Sequence, residues 1–301
     1  MSIYIEIRIK GSLDDIWEKT QNPELHNLWD ARFTSITYLP RADETAPQRF
    51  RYATRIGLGI EIEGEGETVG GHAKEGERTS ALKFWSQDRK SLIRNGSGYW
   101  KYIPEEDGVR FLTRYDYEIR FGWFGRFVDR RFFRPFLGWA TAWSFDRLRL
   151  WIEKGIDPAL SRRQFLVHLL CRLSVAFVWC YHGLVPKILF RHPDEYVMLT
   201  DAGVSQPTAE LGVFAAGIGE ILLGLLTLFC FRSRWPFVAT MAVMTVALVG
   251  VAINSPRFLV AAFNPVTLNG LLTVMSLIGL LVMGDLPSAS RCLRRQPEKE
   301  K

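Results

Sequence analysis

A strand-period opening, six further strand segments closing on a long aromatic helix, and four apolar runs beyond residue 164 predict two folds in one chain. The first is an α+β helix-grip, a curved antiparallel sheet around a long C-terminal helix. The second is an all-α four-helix transmembrane bundle. Charge draws the same division: residues 1–160 carry 25 Lys and Arg with 24 Asp and Glu, whereas residues 161–301 carry 13 and 8. A mean hydropathy of zero therefore averages a charge-dense half with a charge-poor one. The net charge of +6 lies almost wholly in the second part, clustered at the ends of apolar runs, which points to a bilayer and not to nucleic acid. The expected boundaries are a domain over 1–155, a linker over 156–164, a membrane domain over 165–288 and a basic cytoplasmic tail over 289–301.

Ile3, Ile5, Ile7 and Ile9 alternate with Tyr4, Glu6, Arg8 and Lys10, a period of two that belongs to a strand and not to a secretion signal. The N-terminal domain is accordingly expected in the cytoplasm. Ser12 with Asp15 three residues on opens a helix that ends before Asn22-Pro23, and a short turn runs through His26 to Trp29. Strands are expected near 33–39, 49–56, 58–69, 77–87, 91–102 and 109–121. In the clearest of them Ile60, Ile62, Gly64 and Gly66 face one way and Glu61, Glu63, Glu65 and Glu67 the other. The strand glycines, Gly57 and Gly59 among them, permit bending and do not form a dinucleotide fingerprint. The last element, about 126–154, places Phe132, Phe136, Trp139, Trp143 and Leu150 at helical spacing.

The apolar runs cover about 165–190, 209–231, 236–254 and 264–284, each near the twenty or so residues that a hydrocarbon core requires. Arg162, Arg163, Arg232, Arg234, Arg291, Arg294, Arg295, Lys299 and Lys301 flank one side. Lys187, Arg191 and Arg257, mixed with Asp194, Glu195 and Asp201, flank the other. The bias predicts a multi-pass protein of the bacterial inner membrane with both termini cytoplasmic. Cys171, Cys180, Cys230 and Cys292 form no paired framework and read as small hydrophobes.

Polar residues inside the runs are costly and therefore informative. His168, Arg172, Trp179 and His182 share one stripe of the first helix, and Glu210 and Glu220 lie on the second. Depth predicts a buried Arg172–Glu220 pair and an outer Lys187–Glu210 pair. These either fix packing or line a pocket for a quinone or similar ligand. No second His lies at the depth of His182, which argues against haem. Two small-residue rows on the second helix, Gly212/Ala216/Gly219 and Gly217/Glu220/Gly224, allow close helix approach. Asn264-Pro265 caps the fourth helix and Asn269 is placed to bond across helices.

The pattern Arg172…Trp179…His182-Gly183…Pro186-Lys187, then Gly219-Glu220, then Asn264-Pro265…Asn269 resembles the DoxX-like family of small four-helix membrane proteins over about 165–288. The resemblance implies a polar core of Arg172, Lys187, Glu220, Asn264 and Asn269 and an association with membrane redox complexes and quinone-linked oxidation. The order βα(α)β6α, with Ile9-Lys10-Gly11-Ser12…Trp17…Asn22-Pro23…His26…Trp29-Asp30, resembles the START-like polyketide-cyclase (SRPBCC) superfamily. The stretch from Gly125-Arg126 through Trp139 and Trp143 to Arg149 resembles the branch fused to DoxX-like domains. That resemblance implies an apolar ligand between sheet and helix, lined here by Trp17, Phe84, Trp100, Tyr102, Tyr115, Tyr117, Trp139 and Trp143. The alternative is that these rings simply fill the core.

Enzymatic signals are sparse. Asp14, Asp15, Asp116, Glu118 and Asp129 pair with no His at a telling spacing, His26 and His72 read as surface loop residues, and no metal-spaced cluster occurs. Aromatics and arginines interleave over 120–134, which suits anionic headgroups at Arg126, Arg130 and Arg131. The expected function is a lipophilic small-molecule binder beside a membrane bundle, with membrane lipids as partner and no nucleic acid. The alternatives are an accessory or catalytic subunit of a quinone-linked oxidoreductase in a membrane redox complex, and a structural scaffold. Quinone is the one cofactor entertained.

Overall fold

The computed structural model describes residues 2–41, 43, 46–56, 59–74 and 76–297, apart from the side chains of 71–74. Gly57, Lys299 and Lys301, named above, and position 58 at the start of an expected strand lie outside the described residues. The chain divides into two compact units, one made of Met1–Arg162 with Pro287–Lys301 and the other of Arg163–Leu286.

In the first unit, β1 (Ile3–Ile9) is followed by α1 (Leu13–Gln21) and α2 (Pro23–Trp29). Ser12 accepts from the Asp15 amide at 3.1 Å, and Asn22 accepts from that of Glu24 at 3.0 Å, so both helices start on a side-chain cap. Six strands follow: β2 (Ser35–Tyr38), β3 (Arg49–Arg55), β4 (Glu61–Lys74), β5 (Glu77–Trp85), β6 (Ile93–Glu105) and β7 (Gly108–Ile119). They form one antiparallel sheet in the order β1-β7-β6-β5-β4-β3-β2. His72 falls in β4 and not in a loop, and β4 carries an irregularity between Thr68 and Gly70. Helical structure then runs through α3 (Gly122–Val128), a π-turn (Asp129–Phe133) and α4 (Arg134–Lys154), which Gly155 closes in a left-handed conformation at φ 65°. The helix α4 packs on β1, completing the predicted helix-grip.

Register explains the curvature. Phe50 lies opposite Gly66 and Tyr52 opposite Gly64; Phe84 lies opposite Gly96, and Tyr115 opposite Gly98. A Cβ at any of these glycines would fall within 2.4 Å of an atom of that ring residue. Each glycine is therefore where a neighbouring aromatic side chain lies against the strand, on the face that also carries Trp100, Tyr102 and Phe111. Tyr4 and Glu6, on the other face, are also buried and hydrogen-bonded to each other.

The C-terminal segment belongs to this unit. Glu6 and Leu293 exchange amide-to-carbonyl bonds, both 2.9 Å, along the free edge of β1. The Ser288 amide donates to Asp146 at 2.7 Å, and Cys292 is buried with its thiol donating to the Ala142 carbonyl at 3.2 Å. The basic tail expected over 289–301 is thus, through residue 297, a docked piece of the sheet domain.

The second unit contains most of α5 (Pro158–His182), a π-helical continuation (Gly183–Leu189), α6 (Pro193–Asp201), α7 (Gln206–Phe229), α8 (Trp235–Asn254), a 3-10 turn (Pro256–Val260) and α9 (Pro265–Leu281). The apolar helices through Pro158–Leu189, Gln206–Phe229 and Trp235–Asn254 are long enough to cross a membrane. The fourth expected span, 264–284, is a shorter helix of 17 residues, about 25 Å at 1.5 Å per residue. It stops at Leu281 because the chain turns through 282–285. Cys171, Val175, Trp179, Phe237, Met244 and Leu272 form the core between α5, α8 and α9.

Candidate functional site

The predicted aromatic lining of the first unit falls into three groups. Trp100 and Tyr102 are core: Tyr102 is fully buried, its hydroxyl paired with Thr20 at 2.7 Å and accepting from Gln21 at 3.0 Å. Trp17 is half-buried, edge-on to Tyr102 at 5.1 Å. Tyr115, Tyr117 and Phe84 continue the concave face. Tyr115 pairs with Thr141 of α4 at 2.8 Å, and Tyr117 donates to Asp129 at 2.6 Å. Burial, and then the Asp129 carboxylate, pushes the Tyr117 phenol well above its usual range. Trp143 is buried, and its ring stacks at 6.0 Å on the partly exposed Trp139. Two clefts of about 600 and 570 Å³ open elsewhere on the unit, lined by Glu6–Arg149–Arg291 and by Glu61–Glu63–Asp88 with their neighbours; neither touches the eight predicted residues.

Sequence reasoning passed over the polar centre of this face. His26 is not a loop residue. It lies in α2, stacks on Trp29 at 5.0 Å and meets Trp100 edge-on at 5.0 Å. Its Nε2 is 2.9 Å from Asp30, whose carboxylate also accepts a two-point fork from Arg32 at 2.9 and 2.5 Å. Burial alone would raise the Asp30 carboxyl; the Arg32 charge and hydrogen bonds, with His26, outweigh it and hold the group well below the carboxylate range. The Arg32 guanidinium lies 5.3 Å from the Phe33 ring and 5.8 Å from that of Tyr115. The signal available was His26 and Asp30 four residues apart on a capped helix, with an arginine two residues further.

Arg126, Arg130 and Arg131 are all exposed, on the outer side of α3 and the π-turn.

In the second unit the polar residues pair differently from expectation. Arg172 does not meet Glu220. It is fully buried and donates to the carbonyls of Thr227 at 2.6 Å and Ser233 at 2.5 Å, and to His168 Nε2 at 2.8 Å. The last turn of a helix leaves its carbonyls unpaired and carries partial negative charge, so Arg172 caps α7 from the side. Because His168 Nε2 accepts from Arg172, its Nδ1 carries the proton and donates to the Gly279 carbonyl at 3.0 Å. Trp179 donates to Thr240 at 2.9 Å.

Glu220 instead pairs with Lys187 at 3.1 Å, and Lys187 also meets Glu195 at 3.1 Å. Glu210 takes no part; its nearest polar partner is Gln206 at 3.5 Å. The swap follows from the close approach of Gly183 and Gly217, where a Cβ on Gly183 would sit 2.4 Å from the Gly217 carbonyl. That approach sets Lys187 against the Glu220 turn of α7. Gly217 and Gly224 serve this approach as expected, whereas Gly219 faces open space. His182 is half-buried, with its ring 6.3 Å from that of Tyr181. Asn264 caps α9 by accepting from Thr267 at 3.0 Å, and Asn269 reaches the Met244 carbonyl at 3.5 Å.

Residues 176–277 match the DoxX-like family. The uncharacterized membrane protein YndG of Bacillus subtilis (strain 168) is 50% identical over 183 residues, covering 60% of this chain and 68% of YndG. Among solved structures, the di-domain ARO/CYC StfQ of steffimycin biosynthesis aligns at 14% identity and TM-score 0.39 over 52% of this chain; the chain spans about half that protein, 52%. A STAR-related lipid transfer protein fragment from Xanthomonas axonopodis aligns at 16% identity and TM-score 0.38 over 51% of this chain and 86% of that one. The chain belongs to the family of the Bacillus subtilis membrane protein YndG, and carries a DoxX-like domain in its C-terminal half.

Proposed function

We propose that the helix-grip unit is a cup for a flat lipophilic molecule, displayed on the cytoplasmic side of a four-crossing membrane domain. One observation carries this reading: four aromatic residues lie against glycines on the concave face, and three of them, Phe50, Tyr52 and Phe84, stay half-buried. A mostly apolar concave surface with a few convergent polar groups is what small-molecule sites use. Arg32, oriented by Asp30 and sitting among rings, supplies the polar group. Detergent-purified full-length protein should release a stoichiometric lipophilic compound into organic extract, read by mass spectrometry. Extracts matching those of an unrelated membrane protein would sink the reading.

The membrane topology rests on unit membership. Residues on both sides of 163–286 belong to one unit, which supports an even number of crossings between them. Three helices are long enough to span, and the apolar α9 is the candidate for a fourth crossing. Arg162, Arg163, Arg232 and Arg234 favour the cytoplasm for that unit. On the other side, Lys187 is neutralised by Glu195 and Glu220, and Arg257 by Asp201 at 2.6 Å.

A second reading keeps the DoxX-like domain as a quinone-linked component. It is favoured by the Glu220 Oε2 atom, which lies beside Lys187, is buried and has no hydrogen-bond partner among the described residues. An absorbance spectrum of the purified protein that changes on reduction supports it, and a featureless one removes it.

A further inference from the structure

We infer that the outer face of α3, the π-turn and the start of α4 is a docking surface for anionic lipid headgroups. Phe121, Trp123, Phe124, Phe127, Phe132 and Phe136 are between 55% and 75% exposed. Large apolar side chains gathered this densely on one helix face are not ordinary surface; they mark an interaction site.

Three further observations select a bilayer as the occupant. First, Arg126, Arg130 and Arg131 are exposed among these rings, and no carboxylate among the described residues pairs with any of them. Several other exposed or half-buried arginines of the unit take acidic partners, as in Arg49–Glu65, Arg55–Glu61, Arg78–Asp14 and Arg110–Glu105. Unpaired guanidinium groups beside apolar rings match a surface that presents phosphates over hydrocarbon.

Second, the backbone commits the rings outward. Phe121 and Gly122 both adopt left-handed conformations, at φ 66° and 53°, as β7 turns into α3. A bulky non-glycine residue in that region is strained, and such strain persists where the surroundings hold it. The inward stripe is made of small or polar groups, Gly125, Asp129 and Gly138, all buried.

Third, the chain holds this unit at a membrane. Its last long helix ends at Lys154, and a membrane-length apolar helix begins at Pro158. The effective concentration of bilayer at the patch is high, so modest affinity suffices. The inference does not require the cup to be loaded.

Hydrogen exchange on the full chain in nanodiscs tests it, comparing anionic with zwitterionic lipid of the same acyl composition. Amides of 121–136 should exchange more slowly in anionic discs. A chain with Arg126→Glu, Arg130→Glu and Arg131→Glu should lose that difference, while protection of β1 to β7 stays unchanged. Identical exchange of 121–136 in both lipids overturns the proposal. So does protection that follows the number of chains per disc and not lipid charge, which would assign the face to a second copy.

Discussion

The guanidinium of Arg172 donates to the carbonyl of Thr227 at 2.6 Å inside the membrane domain, with no carboxylate beside it among the described residues. The cation is held by helix-end carbonyls and a histidine ring. Arg172→Met leaves the Thr227 and Ser233 carbonyls without donors, at roughly 1–3 kcal/mol for each buried orphan. The unfolding midpoint in detergent should drop clearly, and Arg172→Lys should recover part of it. An unchanged midpoint for Arg172→Met contradicts the capping role.

Lys187 and Glu220 make a coupled pair, 10% and 19% exposed at their side chains. Removing Lys187 strands the Glu220 carboxylate, at a cost of about 3 kcal/mol for a buried pair, whereas Lys187 keeps Glu195 when Glu220 is removed. Lys187→Met should therefore destabilise more than Lys187→Met with Glu220→Gln. A double-mutant cycle on thermal unfolding reads the coupling, and strict additivity would count against it.

Asp30 gives the first unit an acid limit. Its folded carboxyl lies well below the unfolded value of about 3.9, so its contribution is complete above that pH and is lost as pH falls from there toward the folded value. Acid unfolding followed by tryptophan fluorescence should begin below about pH 4. Asp30→Asn leaves Arg32 buried and unpaired, and should lower stability at neutral pH by roughly 3–5 kcal/mol while flattening the acid slope. A variant as stable as the parent at pH 7 refutes this.

Leu293 is the residue through which the tail is bonded to β1. Leu293→Pro deletes the amide that reaches the Glu6 carbonyl and should cost about 1–3 kcal/mol. Amide exchange at Glu6 should rise, since its acceptor, the Leu293 carbonyl, shifts with the tail. If Glu6 remains as protected as before, the edge is covered by something else.

What the sequence made legible was periodic. Ile3, Ile5, Ile7 and Ile9 announced β1, the Glu61–Glu67 alternation announced β4, and the apolar runs announced the membrane helices. Caps were equally local: Ser12 and Asn264 both hold amides three residues on. Partners distant in sequence were not legible. Arg172 chose backbone carbonyls, which no residue pattern advertises. Lys187 found Glu220 because a glycine-to-glycine approach fixed the register of two helices. His26 was misplaced because a seven-residue helix offers too few turns to show a period. The tail read as a basic extension because its charges, Arg291, Arg294 and Arg295, hide Leu293, which bonds to the sheet.

The bond between Glu6 and Leu293 also orders events in time. During synthesis β1 is made before its edge partner Leu293, which emerges only after the helices of the second unit have been made. Until then the sheet domain has an open margin, able to recruit another extended peptide. A message cut short anywhere before residue 293 would yield a chain whose first domain is permanently unfinished. Closure of the β1 edge therefore requires that the chain through residue 293, and with it the apolar helices of the second unit, has already been translated.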